Sequence, residues 1–367
     1  MKNTAFILSI TILCFSCTGS NIKPKDFIII PLAQSIQESG SKKEMKNFVK
    51  EVRIITLETS DSVLIGDGSF HFISDEYIIL TDDETVYFFS TLDGHFIHKF
   101  NHVGNGPGEY ISINSLTYDP LQQKIYIHDL NKRTINVYSP QGKSLAQFVN
   151  DSVAYVNSNN EGQFIVSYFP SRKWHYKVGI FDAHWQPVAS FIENDIPEHR
   201  VINLFEINTV QQFNGESYIY ITDTLYQIST KGALPKLVLD KGSLRLNDDV
   251  ASDIRRENER EKSIWGEYGY WAGDLYFLFF VYNRAAYFDV WNTSSSQLIF
   301  RNSITTLEET QGMPIHYEGK LIYVWPKFVC NNCIYCFLEP DQASIIYPNY
   351  DENNNPLILE IVLDIDN

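Results

Sequence analysis

Six times along the chain a run of aromatic and aliphatic residues is followed by a polar turn, often carrying Gly, and then by a second apolar run. The copies occupy residues 86–100, 135–148, 178–191, 225–239, 286–300 and 334–347. Short apolar runs bounded by turn residues predict strands, and a pair around a short polar turn predicts an antiparallel hairpin. With Gly94, Gly142, Gln186, Gly232, Ser296 and Gln342 as turn positions, the copies recur every 44–48 residues, apart from one interval of 64. Two further strands fit upstream of the hairpins, for example residues 115–118 and 124–128 before the second and 267–271 and 274–280 before the fifth. Repeats at this period mark an array, and four antiparallel strands in roughly 45 residues make one propeller blade. The expected fold is all-β: a six-bladed β-propeller of four-stranded antiparallel blades. A solenoid fits less well, because its repeats are usually shorter and its strands parallel.

The long interval contains the charged stretch 247–262, which interrupts the strand pattern. It reads either as a short helix capped by Asn247 or Asp248 or as a loop without fixed structure, within an insertion over about residues 245–262 that lies on the propeller. Near the C-terminus, residues 357–363 form a strand after the turn-rich stretch 351–355. Open sheet edges invite stray pairing, so the ring must be closed. Residues 26–30 and 357–363 are expected to share in that closure, within one blade.

The first residues follow another pattern. Lys2, an apolar stretch over residues 5–15 and the pair Ser16-Cys17 predict a leader peptide over 1–16, with Cys17 as the acylated residue of a lipoprotein. Residues 17–47 then form the anchor and a tether with a first strand, and residues 48–367 the propeller. Acyl chains on Cys17 would bury enough methylene groups to hold the protein on a membrane. No other apolar run approaches the roughly 20 residues of a spanning helix. The expected location is the cell envelope, as an outer-membrane lipoprotein.

Composition supports the strand-rich reading, with 22 Tyr and 24 Phe among 367 residues. The 45 acidic residues against 29 Lys and Arg give a formal charge of −16. A surface this acidic excludes nucleic acid as a partner. The expected state is a monomer or a subunit of an envelope complex.

Three pieces carry a resemblance to a known family. They are Ile54-Ile-Thr-Leu-Glu-Thr59, then Val103-Gly-Asn-Gly-Pro-Gly-Glu-Tyr110 with the strand near Leu116, and Thr222-Asp-Thr-Leu-Tyr-Gln-Ile-Ser229 with Pro235 and Leu239-Asp240. With the closing Asn355-Pro356, they resemble the six-bladed β-propeller lipoproteins common in Bacteroidetes, which are similar to propellers with NHL repeats. The resemblance spans residues 27 to 367. It implies the fold and an envelope location, and transfers no activity and no catalytic residue.

Few motifs carry chemistry. Gly104-Asn-Gly-Pro-Gly108 is followed by a strand pattern, whereas a phosphate loop needs a helix there. It is expected to be a tight connection between blades, with Glu109 accepting bonds from loop amides. Cys330, Cys333 and Cys336 leave three alternatives open: packed thiols, a disulfide involving Cys330, or a metal site lacking its fourth ligand. The nine histidines have no metal-binding spacing, and no nucleophile elbow, zinc-protease or calcium-loop pattern is present. No metal or cofactor is expected. Loops at one face gather Glu109, Arg133, Arg172, Trp174, His175, Arg284 and Lys327, a basic and aromatic set suited to carboxylates and sugars. The expected function is a non-enzymatic, membrane-anchored scaffold that binds a protein, peptide or glycan through that rim. The alternative is an envelope hydrolase or lyase with its site at the channel mouth.

Overall fold

The computed structural model describes residues 27–37, 45–66, 68–159, 161–194, 196, 210–213, 215–251, 253–306, 311–330 and 332–364. The expected leader, Cys17 and most of the tether lie outside the described residues. Among the described residues no helix is long and apolar enough to cross a membrane.

The first five hairpins are the third and fourth strands of five antiparallel sheets. Blade one runs Ser69–Ile73, Tyr77–Asp82, Thr85–Ser90 and Phe96–Phe100. Blade two runs Ser115–Asp119, Lys124–Asp129, Thr134–Tyr138 and Ser144–Val149. Blade three is Val153–Ser158, Phe164–Tyr168, Tyr176–Phe181 and Pro187–Glu193. Blade four is Val210–Phe213, Glu216–Ile221, Thr224–Ser229 and Gly232–Leu239. Blade five is Trp265–Ala272, Leu275–Tyr282, Ala285–Asn292 and Gln297–Ile304. In each, the first strand in sequence lies innermost, and the inner strands of successive blades are neighbours around a ring.

Blade six departs from the expected hairpin. Its strands are Phe328–Cys330, Cys333–Leu338, Leu357–Leu363 and, outermost, Val49–Thr56. The segment expected to complete a sixth hairpin around Gln342 is instead a helix, Pro340–Ile346. Pro340 sits at its start, where the missing N–H costs nothing, and Ala343 and Ile346 share its buried face. The closing partner of Leu357–Leu363 is also not the one expected. Val49–Thr56 pairs with it antiparallel, while Ile28–Ile30 joins blade four as a fifth, parallel strand beside Gly232–Leu239. The expected helix in the charged insertion is broken into single turns, Asp248–Ala251 and Glu257–Arg260. Asn247 Oδ1 caps the first by accepting from the Asp249 amide at 2.8 Å. A hairpin, Met313–Tyr317 and Lys320–Val324, joins the hydrophobic cluster between blades five and six.

The core consists of six seams between blades, each a separate hydrophobic cluster. Side chains alternate along a strand. Ile78 and Leu80 therefore enter the seam between blades six and one, while Ile79 enters that between one and two. Strands buried on both faces read as unbroken apolar runs, the pattern that made the repeats visible. The turn glycines have a second cause. Gly94 and Gly142 adopt φ of 73° and 80°. A Cβ on Gly142 would come within 2.7 Å of Phe100, because the outer strand of one blade ends beneath the hairpin turn of the next.

Candidate functional site

Each inner strand carries a polar residue in an otherwise apolar setting, and most of these bond to the next inner strand. His71 places Nδ1 3.2 Å from Leu116 O and Nε2 2.8 Å from Thr81 Oγ1. Thr117 Oγ1 donates to Asn157 Oδ1 at 3.1 Å and accepts from the Ser158 amide at 2.9 Å. Asn157 Nδ2 donates to Val210 O at 3.0 Å, and Gln211 Nε2 donates to Gly269 O. Gln212 Nε2 donates to Ser158 O, and Cys330 Sγ to Ile73 O at 3.5 Å, across the point of ring closure. The belt stitches the inner strands together and occupies backbone groups along their free edges.

Within the ring lies a cavity of about 890 Å³, inside the range of roughly 300–1,000 Å³ usual for small-molecule sites. Its wall alternates rings, including Phe72, Tyr155, Tyr270 and Trp271, with the amides of Asn114, Asn157, Gln211 and Gln212. Its charged groups all belong to blade six: Lys327 and Glu339 at the ends of its two inner strands, and Glu352 in the turn before its third strand. Burial, partly offset by the bond to Leu116, drops His71 to about 4, so its imidazole is neutral at pH 7. Its Nδ1–H faces the carbonyl and its Nε2 accepts from Thr81, leaving no ring nitrogen for proton transfer. Among the described residues no group of His, Cys, Asp and Glu side chains is arranged to hold a metal ion.

Of the residues singled out from sequence, Lys327 alone lines this cavity. Arg133, at φ 55° in the turn between the second and third strands of blade two, is exposed, as are Arg172 and His175 in the corresponding loop of blade three. In that loop Trp174 is half-buried, with the Lys173 ammonium 4.3 Å from its ring centre. Arg284, in the matching turn of blade five, is 75% exposed with Glu261 at 3.7 Å. Glu109 accepts from the Gly106 amide at 2.6 Å, while Lys132 Nζ bonds the Gly106 and Glu109 carbonyls. The glycine-rich segment is thus a braced blade-to-blade connection. Sequence reasoning missed His71, Thr117, Asn157 and Gln211; the signal was a polar residue inside the first strand of each repeat.

The thiols divide in two. Cys330 and Cys333 face each other as cross-strand partners, and Cys336 is buried. Burial pushes the Cys330 thiol up to about 11, so it is protonated at neutral pH.

Residues 27–367 match a family described as a domain of unknown function, DUF4934. Among solved structures, a candidate exported protein of Bacteroides fragilis is similar over 92% of this chain and 99% of its own, with a TM-score of 0.70 and 15% identity. A member of the DUF4221 family from Bacteroides vulgatus is similar over 86% of this chain and 97% of its own, with a TM-score of 0.49 and 11% identity. No curated protein matches the sequence.

Proposed function

The chain belongs to the DUF4934 family, and from that premise we propose that it is a non-catalytic binding scaffold of the cell envelope, acting on a protein, peptide or glycan. The observation that carries this reading is the cavity enclosed by the six inner strands. It is large enough for a ligand and lined by rings and amides, and its one histidine is neutral and bonded through both nitrogens. Those are features of recognition rather than of acid–base chemistry. Lys327 links the cavity to the loops carrying Glu109, Arg133, Arg172, Trp174, His175 and Arg284, which form the outer rim of the binding surface. The leader-like residues 1–16 support export, and an acylated Cys17 is the proposed tie to the outer membrane.

The reading is tested with full-length chain in detergent, applied to glycan, peptide and envelope-protein arrays and then assayed for turnover of whatever binds. Retention without conversion, weakened in Trp174→Ala or Arg284→Ala, is the expected result. Conversion of the bound molecule would replace the scaffold by the hydrolase or lyase alternative. Palmitate labelling equal in wild type and Cys17→Ala would remove the anchor.

A further inference from the structure

Tyr155, on the inner strand of blade three, and Tyr270, on that of blade five, both line the cavity. Tyr155 packs against the seam between blades three and four and Tyr270 against that between five and six, and each keeps some accessible surface. Burial pushes the Tyr155 hydroxyl up; at Tyr270 burial acts first, followed by the nearby Tyr268 and Tyr155 hydroxyls. The two phenols stand on different blades around the cavity and stay protonated at neutral pH. Every other tyrosine at the cavity whose hydroxyl is bonded uses it within the fold, as Tyr118 does with Tyr77 at 2.7 Å. Neither Tyr155 nor Tyr270 has a hydrogen-bond partner among the described residues, so both can serve a ligand.

The belt limits which ligand that is. An extended peptide added to an inner strand needs free backbone edges. Here the Leu116, Val210, Gly269, Ser158 and Ile73 carbonyls already accept from side chains of other blades. What the wall still offers is phenol hydroxyls, amide oxygens and ring faces, and its charges stand only at the blade-six side. Sugar rings present C–H faces to aromatic rings and hydroxyls to amides and phenols, with no charge to neutralise. We infer that the cavity binds a short neutral oligosaccharide, held by the Tyr155 and Tyr270 hydroxyls; this rests on the scaffold reading and narrows it to one ligand class.

The test titrates full-length chain in detergent, by calorimetry, with cellotetraose, mannotetraose, maltotetraose and chitotetraose, alongside tetragalacturonic acid and an unstructured octapeptide. At least one neutral sugar should bind one-to-one. The Tyr155→Phe, Tyr270→Phe double variant should weaken it about tenfold or more, as expected for two lost hydrogen bonds. The variant should unfold at the wild-type temperature, because the oxygens removed bond nothing in the protein. Tighter binding of tetragalacturonic acid or the octapeptide, no neutral sugar bound at millimolar concentration, or an unchanged double variant would each overturn the inference. Cleavage of a bound neutral sugar would uphold the cavity assignment while ending the non-catalytic reading. A peptide held at the rim would do the opposite.

Discussion

Asn355→Leu tests how the ring is closed. Asn355 is 1% exposed and stands at the end of the long excursion of blade six. Its Oδ1 accepts from the Ile65 amide at 2.7 Å, and its Nδ2 donates to Glu58 O at 2.6 Å and Val63 O at 2.9 Å. All three partners belong to the connection from the outer strand of blade six into blade one, so one side chain holds the two ends of the ring together. Leucine has nearly the same shape and none of these bonds. Ile65 is buried, so its amide is left without a partner, at about 1–3 kcal/mol; the Val63 carbonyl keeps the Ser60 amide at 3.3 Å, and the Glu58 carbonyl, on an exposed residue, turns to water. The expected loss is roughly 2 kcal/mol, or about 4 °C in Tm at the sensitivity of a large domain. Calorimetric unfolding measures it, with the exposed neighbour Asn354→Leu as a control expected within about 0.5 kcal/mol. A loss under about 1 kcal/mol at Asn355 would refute the reasoning. Asn355→Asp adds a pH signature. A carboxylate can still accept from Ile65 but repels the two carbonyls, so its folded pKa is raised. The stability it retains is present at acid pH and lost as pH rises through that folded value, so the deficit against wild type should be larger at pH 7 than at pH 4.

His71 and His128 are both driven by burial to about 4, from an ordinary 6.5. The unfolded chain binds these protons first, so stability is complete above about pH 6.5 and falls toward pH 4, by up to ~3 kcal/mol for each residue. Among the described residues neither ring nitrogen of His128 has a hydrogen-bond partner; His128→Leu should stay within about 1 kcal/mol of wild type at pH 7 and flatten the pH dependence of the urea midpoint. Arg301 grips the fully buried Asp289 through Nε at 2.7 Å and Nη2 at 2.6 Å, and its Nη1 donates to Ser35 O. Arg301→Met should therefore cost about 3–5 kcal/mol and speed hydrogen exchange over Leu32–Gln37, while the pair Arg301→Met, Asp289→Leu should recover much of the stability and none of the protection. Oxidation of the folded protein with glutathione disulfide should join Cys330 to Cys333, their thiol hydrogens leaving with reduced glutathione, and leave Cys336 free; peptide mapping by mass spectrometry that found Cys336 in the bridge would contradict the cross-strand register.

The hairpins were legible because most combined two local signals, an apolar run and a turn residue such as Gly94, Gly142 or Gly232 that takes positive φ. Where a seam rather than a turn decided the outcome, the pattern misled. Residues 345–347 resemble a strand, yet Pro340 starts a helix and Ala343 and Ile346 lie three apart on one buried face; that spacing was in the sequence and was outweighed by expecting a sixth copy. The place of Ile28–Ile30 was not legible at all. A parallel strand at a sheet edge needs only an exposed edge and an apolar triplet, and several blades offer the first. That Arg133, Arg172, His175 and Arg284 lie in loops followed from the strand pattern, whereas the cavity depended on which side chains meet across the ring.

That difference has a physical origin. In a propeller the seams take nearly all the hydrophobic burial, so a polar residue on an inner strand must find a partner or face the cavity. His71, Thr117, Asn157 and Gln211 took the first course and bind the blades to one another. Tyr155 and Tyr270 took the second, although phenylalanine would pack as well without burying a hydroxyl. A ligand in the cavity, as we infer, would give both hydroxyls the partners that the fold does not.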